Sequence, residues 1–268
     1  MIALSVNGAA GRMGRQLLAA IGEHPDAQLA AAVDAPGQAC IGLDTSVLSG
    51  GEPSGVSVAD SASALVAHSD VIVDFTAPPV TLALLDALDD STTGVVIGTT
   101  GFSADQLEQL RGHARRRPIV FAPNYSVGVT VALSLLQQAA RAFGDDYDVE
   151  IIEAHHRHKV DAPSGTAIRM GEVVAEVLGR DLADCAVYGR EGITGARQSK
   201  TIGFETVRAG DIIGEHTVLF AGAGERIEIT HRATDRMTFA RGAVRAALWL
   251  AAQPAGLYDM THVLGLAP

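Results

Sequence analysis

The chain has 268 residues, 47% of them hydrophobic, which is enough for one large domain or two modest ones and excludes a mainly disordered protein. Twenty basic residues against 31 acidic ones give a net charge of −11, so the electrostatic field repels nucleic acids and anionic membrane surfaces. The two cysteines, Cys40 and Cys185, form no C-x-x-C pair, which argues against a disulfide framework or a thiolate zinc site and favours a reducing compartment.

The apolar segments are too short, or too interrupted by polar residues, to span a bilayer. Residues 1–6 lead directly into glycines and lack the basic segment that opens a signal peptide. We therefore expect a cytoplasmic protein with neither a nucleic-acid nor a membrane partner.

Short apolar runs alternate with amphipathic stretches in the first half of the chain. The runs are rich in Val and Ile, and they predict buried strands at residues 2–6, 29–33, 71–75, 94–97 and 119–121. Helical spacing of apolar residues lies between them, at 14–22, 61–67, 80–88 and 104–115. This alternation predicts a parallel sheet with helices on both faces.

The pattern changes in the second half. We predict helices at 127–143, 166–178 and 235–253, the second ended by Gly179, and strands at 149–154, 201–207, 212–221 and 226–231. Residues 208–211 and 222–225 separate the last three strands and are typical of hairpin connections. An antiparallel or mixed sheet is therefore expected in this α+β half.

A glycine-rich turn joins the first predicted strand to the first predicted helix. Its residues are Gly8, Ala9, Ala10, Gly11, Arg12, Met13 and Gly14. Glycines here let the backbone approach a pyrophosphate, which the helix N-terminus holds. The spacing is G-x-x-G-x-x-G and not the commoner G-x-G-x-x-G, but its place between strand and helix favours a Rossmann-like dinucleotide domain over an ordinary βα turn, which remains the alternative.

Three further segments are candidates for the dinucleotide site. Asp34 ends the second predicted strand, where a carboxylate can accept hydrogen bonds from the adenosine ribose, although a capping role is the alternative. Two loops follow later strands, at the edge where such sheets bind ligands: Gly98, Thr99, Thr100, and Ala122, Pro123, Asn124, Tyr125. Because Ala35 supplies no cation beside Asp34, the residues favour NADH, while Arg12 leaves NADPH possible.

Residues 153–159 concentrate cations in an acidic chain. His155, His156 and His158 fall within five positions of Lys159, one of only two lysines in the sequence. Such a cluster is suited to an anionic substrate, and a lysine can donate a proton where an arginine hardly can. Ser164, Gly165 and Thr166 then open a predicted helix, whose N-terminus suits a carboxylate.

Other interpretations of these segments stay open. The histidines could bind zinc, but no fourth ligand is evident, so we predict no metal site. A solvated basic loop and a chance lysine are the remaining alternatives. At the level of the whole protein, another two-domain nicotinamide dehydrogenase or a dinucleotide-responsive binding protein would leave the basic cluster unexplained.

Taken together, these residues resemble the 4-hydroxy-tetrahydrodipicolinate reductase (dihydrodipicolinate reductase) family of lysine and diaminopimelate synthesis. The motifs that carry the resemblance span nearly the whole chain, at residues 8–14, 74–76, 98–101, 124–128, 153–166, 208–211 and 241–243. The most specific of them is the stretch 153–166. The resemblance implies reduction by NAD(P)H of a cyclic dicarboxylate to tetrahydrodipicolinate.

The resemblance also implies roles for single residues and for the domains. It implies that His155 and Lys159 transfer protons, that His156 contacts a substrate carboxylate and that Gly165 and Thr166 hold the second one. It places the dinucleotide at 8–13, 34, 98–100 and 122–125. Residues 1–126 and 235–268 would form the dinucleotide-binding domain, and 127–234 the substrate-binding and oligomerisation domain of a homotetramer.

Overall fold

A computed structural model describes residues 1–89 and 91–267. The chain folds into two compact units. One contains residues up to Val127 together with the described residues from Met237 onward, and the other is Gly128–Arg236.

The strands are numbered in chain order over both units. In the part of the chain that the structure describes they are β1 Ile2–Asn7, β2 Ala27–Val33, β3 Val58–Ala59, β4 Val71–Asp74, β5 Gly94–Ile97, β6 Pro118–Phe121, β7 Asp148–His155, β8 Ala186–Tyr188, β9 Ile202–Arg208, β10 Gly214–Ala221, β11 Arg226–Ala233 and β12 Gly256–Tyr258.

The helices are numbered in the same way. They are α1 Arg12–Glu23, α2 Ser46–Ser49, α3 Ser63–His68, α4 Pro78–Ala87, α5 Ala104–Ala114, α6 Val127–Phe143, α7 Gly165–Val177, α8 Leu182–Cys185, α9 Met237–Leu250 and α10 Met260–Val263.

The first unit is built on a parallel sheet with the strand order β12-β6-β5-β4-β1-β2-β3. Successive residues of its central strands face opposite sides, because side chains alternate along a strand. Val71 and Val73 pack in the cluster that contains α1 and α9, whereas Ile72 packs with α3, α4 and α5. The predicted parallel sheet with helices on both faces is confirmed.

The strand order reverses at β1, which lies between β2 and β4. The chain extends from β1 to β2 and β3 on one side, and then returns to build β4, β5 and β6 on the other. Such a reversal opens a crevice at the carboxyl ends of the two strands, where α/β proteins bind ligands. Asn7 and Asp74 end these strands and lie in register, so both are at this crevice.

The second unit contains a mixed sheet with the order β11-β10-β7-β9-β8. Its central strand β7 runs antiparallel to β10 and parallel to β9. Apolar residues of α6 and α7, among them Leu136 and Met170, cover one face and pack on Val149, Ile151 and Phe204. The mixed sheet predicted for this half is confirmed.

One of the two predicted hairpins is wrong. Residues 222–225 join the antiparallel pair β10 and β11, with a hydrogen bond of 3.0 Å from the Gly222 N–H to the Glu225 carbonyl. Residues 208–211, however, connect β9 to β10, and these strands do not pair because β7 lies between them. The connection therefore passes over the end of β7, where the Ala209 N–H donates to the His155 carbonyl at 2.9 Å.

Candidate active site

The glycine-rich turn after β1 holds α1 close to the sheet. Gly8 has a φ of +83°, which favours glycine, and a Cβ at Gly14 would lie 2.1 Å from the Gly8 carbonyl oxygen. The Gly8 and Ala9 N–H groups donate to the Val33 carbonyl of β2 at 2.9 and 3.0 Å. The turn and the start of α1 thus have the bare backbone and helix N-terminus that fit a dinucleotide pyrophosphate.

Asp34 is tied directly to this turn. One carboxylate oxygen accepts a hydrogen bond from the Ala10 N–H at 2.6 Å, and the other accepts one from the Ala35 N–H at 2.7 Å. Ala35 is exposed, as are Gly11 and Arg12 of the turn, whereas Met13 is half-buried. The end of β2 therefore presents a fixed carboxylate beside the glycine-rich turn.

A second carboxylate, Asp74, is fully buried at the end of β4. It accepts hydrogen bonds from the Asn7 amide at 2.9 Å, from the Thr76 hydroxyl at 2.8 Å and from the hydroxyls of Thr81 and Thr99. Burial raises the pKa of Asp74, and these hydrogen bonds oppose the rise. Asp74 therefore orders Thr99, a residue of the predicted loop 98–100. In the sequence, Asp74 is recognisable as a carboxylate that ends an otherwise apolar strand.

The two other predicted loops lie on the same edge of the sheet. A Cβ at Gly98 would lie 2.0 Å from the Phe75 ring, so this position is closely packed, and Thr100 is exposed. Ala122 is buried, Pro123 is exposed and the half-buried Asn124 accepts from the Ser126 N–H at 2.8 Å.

Tyr125 of the last loop differs from its neighbours because its side chain belongs to the core. The residue is 1% exposed, and its hydroxyl donates to the Ile97 carbonyl at 2.8 Å. Burial raises the pKa of this phenol well above its usual range. Any contact that Tyr125 makes to a ligand must therefore come from its backbone.

In the second unit, His155 ends β7 and is paired with Glu153 of the same strand. The two side chains share one face because they are two residues apart, and the His155 Nδ1 lies 2.6 Å from a Glu153 carboxylate oxygen. Arg208 at the end of β9 binds both oxygens of Glu153 at 2.8 Å. Arg208 was not assigned a role from the sequence, since only the β7–β9 pairing brings it here.

His216 is a further histidine of this cluster that sequence reasoning missed. The centroid of its ring lies 5.1 Å from that of the His155 ring, and its Nε2 is 2.8 Å from the Ser164 hydroxyl oxygen. Burial, followed by the neighbouring His155, lowers its pKa to about 4. The sequence does indicate that His216 faces inward, because it alternates along the predicted strand with the apolar residues Val218 and Phe220 of the same face.

The loop between β7 and α7 carries Lys159 in an ion pair. The Lys159 ammonium lies 2.8 Å from a carboxylate oxygen of Asp161, and its hydrogen bond lowers the Asp161 pKa. At the end of this loop Ser164 caps α7, because its hydroxyl oxygen accepts the Ala167 N–H at 3.1 Å. Gly165 and Thr166 form the first turn of α7, the positive end of the helix dipole.

An open cavity of about 610 Å³ lies in the second unit. It is lined by His156, Arg157, His158, Gly210, Asp211, Ile213 and Arg236. Desolvation lowers the pKa of His156, and the nearby Arg236 and His158 lower it further. The cavity thus places His156 beside Arg157, His158 and Arg236, while His155, Lys159, Gly165 and Thr166 are outside its lining.

Over residues 1–89 and 91–267, no three His, Cys, Asp or Glu side chains come together in a group able to hold a metal ion. In the same described residues, no helix has both the length and the apolar character needed to cross a membrane.

Comparison with known proteins gives the same family for both parts of the chain. Residues 2–125 match the model "Dihydrodipicolinate reductase, N-terminus", and residues 128–264 match "Dihydrodipicolinate reductase, C-terminus". A 4-hydroxy-tetrahydrodipicolinate reductase of Alkalilimnicola ehrlichii is 59% identical over 98% of this chain and 98% of its own length. The enzyme of the same name from Hahella chejuensis is 56% identical over 99% of this chain and its entire length.

A solved structure is similar as well. The dipicolinate-bound dihydrodipicolinate reductase from Paenisporosarcina sp. TG-14 shares 25% identity and has a TM-score of 0.76, over 97% of each chain. An amine dehydrogenase from Mycobacterium smegmatis, at 13% identity with a TM-score of 0.58 over 96% of this chain and 95% of its own, shares the fold alone. The chain belongs to the dihydrodipicolinate reductase family of oxidoreductases.

Proposed function

We propose that this protein reduces 4-hydroxy-tetrahydrodipicolinate to tetrahydrodipicolinate with NAD(P)H, in diaminopimelate and lysine biosynthesis. The observation that carries the proposal is the match of both parts of the chain to the two models of one reductase family. The geometry agrees with it, because one unit has a turn that fits a dinucleotide, and the other has a cavity lined by Arg157 and Arg236 together with the helix N-terminus at Gly165.

The first unit is the proposed dinucleotide-binding domain. The phosphates would be held by residues 8–13, the adenosine ribose by Asp34, and the nicotinamide half by residues 98–100 and 122–125. When bound, the reduced nicotinamide supplies a hydride. The contribution of the chain is to hold these loops in place, through the bond from the Thr99 hydroxyl to Asp74 and the bond from the Tyr125 hydroxyl to the Ile97 carbonyl.

We propose that NADH is the preferred cofactor. The Asp34 carboxylate is fixed by the Ala10 and Ala35 N–H groups, so it suits a ribose hydroxyl and repels a phosphate. Ala35 beside it is exposed and brings no cation. Arg12, also exposed, is the cation that would allow NADPH to be used at lower affinity.

The second unit, residues 127–234 in the proposed division, would bind the substrate. Its ligand would be a cyclic dicarboxylate, the chemistry of the dipicolinate in the Paenisporosarcina structure. His156 would contact one carboxylate, and Gly165 and Thr166 at the N-terminus of α7 would contact the other. The surrounding cations favour a dianion over a neutral ring.

Proton transfer is assigned to His155 and Lys159. The conjugated imine ring forms as 4-hydroxy-tetrahydrodipicolinate loses water, and it gains one hydride and one proton in the reduction. The Lys159 ammonium pairs with the Asp161 carboxylate at 2.8 Å, and an ammonium has a proton to donate. His155 would share this role, because an imidazole can donate or accept near neutral pH.

We propose a cytoplasmic homotetramer built through the second unit. One face of its sheet carries the exposed apolar residues Ile152 and Val207. An exposed apolar surface of this kind suits association between copies. Light scattering of the purified protein should give four times the chain mass, and a stable monomer at micromolar concentration would exclude the assembly.

The experiment that tests the reaction is nicotinamide oxidation with the cyclic substrate generated in place by its synthase. NADH and NADPH should be measured in parallel, with the supply of substrate verified separately. Rapid oxidation with NADH is expected. Oxidation confined to NADPH would keep the reaction and reject the preference, whereas no oxidation with either would reject the proposed function.

A further inference from the structure

The carboxylate of Glu153 accepts hydrogen bonds from several segments of the candidate active site. The residue is 1% exposed, and its oxygens receive Arg208 twice at 2.8 Å and the Ser164 N–H at 3.0 Å. The His155 Nδ1 lies 2.6 Å from it, and the Thr206 hydroxyl is at 3.4 Å. Five donor groups on three segments therefore converge on one side chain.

The ionisation state of Glu153 decides where His155 carries its proton. Burial by itself would raise the pKa of Glu153, but the hydrogen bonds from Arg208, His155 and Ser164 outweigh it, so the pKa lies below its ordinary value. An ionised carboxylate only accepts hydrogen bonds. Neutral His155 must consequently hold its proton on Nδ1, which leaves the lone pair on Nε2.

The other edge of the His155 ring is closely packed as well. A Cβ at Gly214 would lie 3.0 Å from Nε2, so the glycine leaves room at that nitrogen. The His216 ring contacts the His155 ring edge-on, with the centroids 5.1 Å apart. Rotation of the imidazole would thus meet His216 or break the bond to Glu153.

Glu153 also contacts the N-terminus of α7. Its bond from the Ser164 N–H anchors the residue that caps α7, directly before Gly165 and Thr166. One buried carboxylate therefore sets the position of the proposed proton-transfer residue and of the proposed carboxylate-binding turn.

We propose that Glu153 is a positioning residue of the reductase reaction: it selects the Nδ1–H form of His155, holds the ring plane and anchors the N-terminus of α7. The inference rests on the proposed function of His155 in proton transfer. Orientation of a histidine by a buried carboxylate is a recurrent way of fixing which ring nitrogen faces the chemistry.

The first test is the tautomer of His155, observed by nitrogen NMR on protein labelled in its histidines. The signal is assigned by its loss in His155→Ala. The wild-type protein should show the Nδ1–H form, and Nε2–H would overturn the proposal. This measurement needs no substitution at Glu153, so it remains decisive even where variants of Glu153 do not fold.

Glu153→Gln supplies the second readout. A glutamine has one acceptor oxygen and an NH₂ that only donates, so it cannot satisfy all the donors that meet at this position. We expect the Nδ1–H population of His155 to decrease and kcat to fall by about 10- to 100-fold, by analogy with metal-ligating histidines whose orienting partner is removed. Glu153→Asp keeps the charge and should retain more kcat than Glu153→Gln. An unchanged tautomer in Glu153→Gln would contradict the proposal.

A double-mutant cycle separates positioning from a structural role. If Glu153 acts through His155, Glu153→Gln should lower kcat by less than about threefold in a His155→Ala background, because coupled residues are not additive. Losses in kcat that multiply would overturn the action through His155, whereas the anchoring of α7 is read separately, as a rise in KM for the substrate. Glu172→Gln is the control, since Glu172 pairs with Arg169 at 2.9 Å on α7 and should leave kcat unchanged.

The two hypotheses fail in different ways. Wild-type kcat in His155→Ala would reject the proton-transfer role of His155, whatever its tautomer. A large loss in His155→Ala, together with a Glu153→Gln variant that turns over normally, would reject the positioning role alone.

Discussion

Lys159 is paired with Asp161 on the loop that leads into α7, and its side chain is 20% exposed. A positive charge at this place attracts an anionic ring, and either lysine or arginine can supply that charge. Only lysine combines that charge with a proton that can be given up. The two functions proposed for the residue can therefore be separated by substitution.

Lys159→Arg should keep the KM for the cyclic substrate near its wild-type value while kcat falls by about 10²- to 10⁴-fold, the contribution typical of a general acid. Lys159→Ala should lower kcat and also raise KM, and steady-state kinetics distinguishes the two. The control is Lys200→Ala, which removes the other lysine of the chain, an exposed residue paired with Asp145 at 3.0 Å. Normal turnover in Lys159→Arg would remove proton donation from the role of Lys159.

Ala35 offers a test of cofactor preference at a single position. Ala35→Arg adds a cation beside Asp34 and should lower the KM for NADPH by about tenfold or more, since a charge-assisted bond contributes about 2 kcal/mol. The KM for NADH should change little. Ala35→Met adds similar bulk without charge and should leave both constants near wild type, and a gain for NADPH in that variant would contradict the electrostatic argument.

At the scale of elements, the contact between β1 and α1 depends on the absence of side chains. A Cβ at Gly14 would meet the Gly8 carbonyl oxygen at 2.1 Å and the Ala9 carbonyl oxygen at 2.6 Å. Both are backbone atoms, which cannot move aside as a flexible side chain can. Any added atom must therefore displace the helix from the turn.

Gly14→Ala should for this reason weaken NADH binding by at least tenfold in a fluorescence titration and lower the melting temperature. Gly22→Ala is a matched control in the same helix, because a Cβ at Gly22 has nothing within 4 Å. Alanine is the better helix former, so the control should keep NADH affinity and gain up to about 1 kcal/mol in stability. Equal NADH affinity in the two variants would show that the close packing at Gly14 is unimportant.

The longer elements could be predicted from the sequence, because periodic apolar residues report which face is buried. The predicted helix 127–143 coincides with α6, and strand 94–97 coincides with β5. The strands β3, β8 and β12 were not predicted. They have only two or three residues, and such a short segment is a strand only because a neighbour is there to pair with it.

The site shows the same division. His155, Lys159 and Gly165 lie on one continuous strand, loop and helix, so their closeness along the chain is visible in the sequence alone. Arg208 and His216 reach the cluster through pairings of β7 with β9 and β10, which depend on the order of strands in the sheet. The wrong hairpin prediction at residues 208–211 paired β9 with β10, so the sequence did not indicate that Arg208 and His216 lie on either side of β7.

For the molecule as a whole, the buried His216 makes stability depend on pH. Its folded pKa of about 4 is below the ordinary histidine value of 6.5, chiefly because burial disfavours the charged ring. The unfolded chain therefore binds a proton that the folded chain does not, at any pH between these values. Stability is unaffected above pH 6.5, decreases as the pH falls toward 4, and changes no further below it.

His216→Gln should remove this component, which amounts to about 3 kcal/mol between pH 6.5 and 4. The free energy of unfolding, measured with denaturant at several pH values, should decrease less steeply in the variant than in the wild type. His68→Gln, a substitution at an exposed residue of α3, should retain the wild-type slope. Parallel curves for His216→Gln and the wild type would show that His216 is not the group responsible.

The first unit is discontinuous in sequence, and this has a consequence for synthesis on the ribosome. Its core contains Ala243, Ala247 and Leu250 of α9, and its sheet edge is completed by β12 on β6. A nascent chain that has emerged only as far as Arg236 contains all of the second unit and only part of the first. The second unit can thus mature during translation, whereas the first unit must wait with a partly uncovered sheet face until α9 has emerged from the exit tunnel.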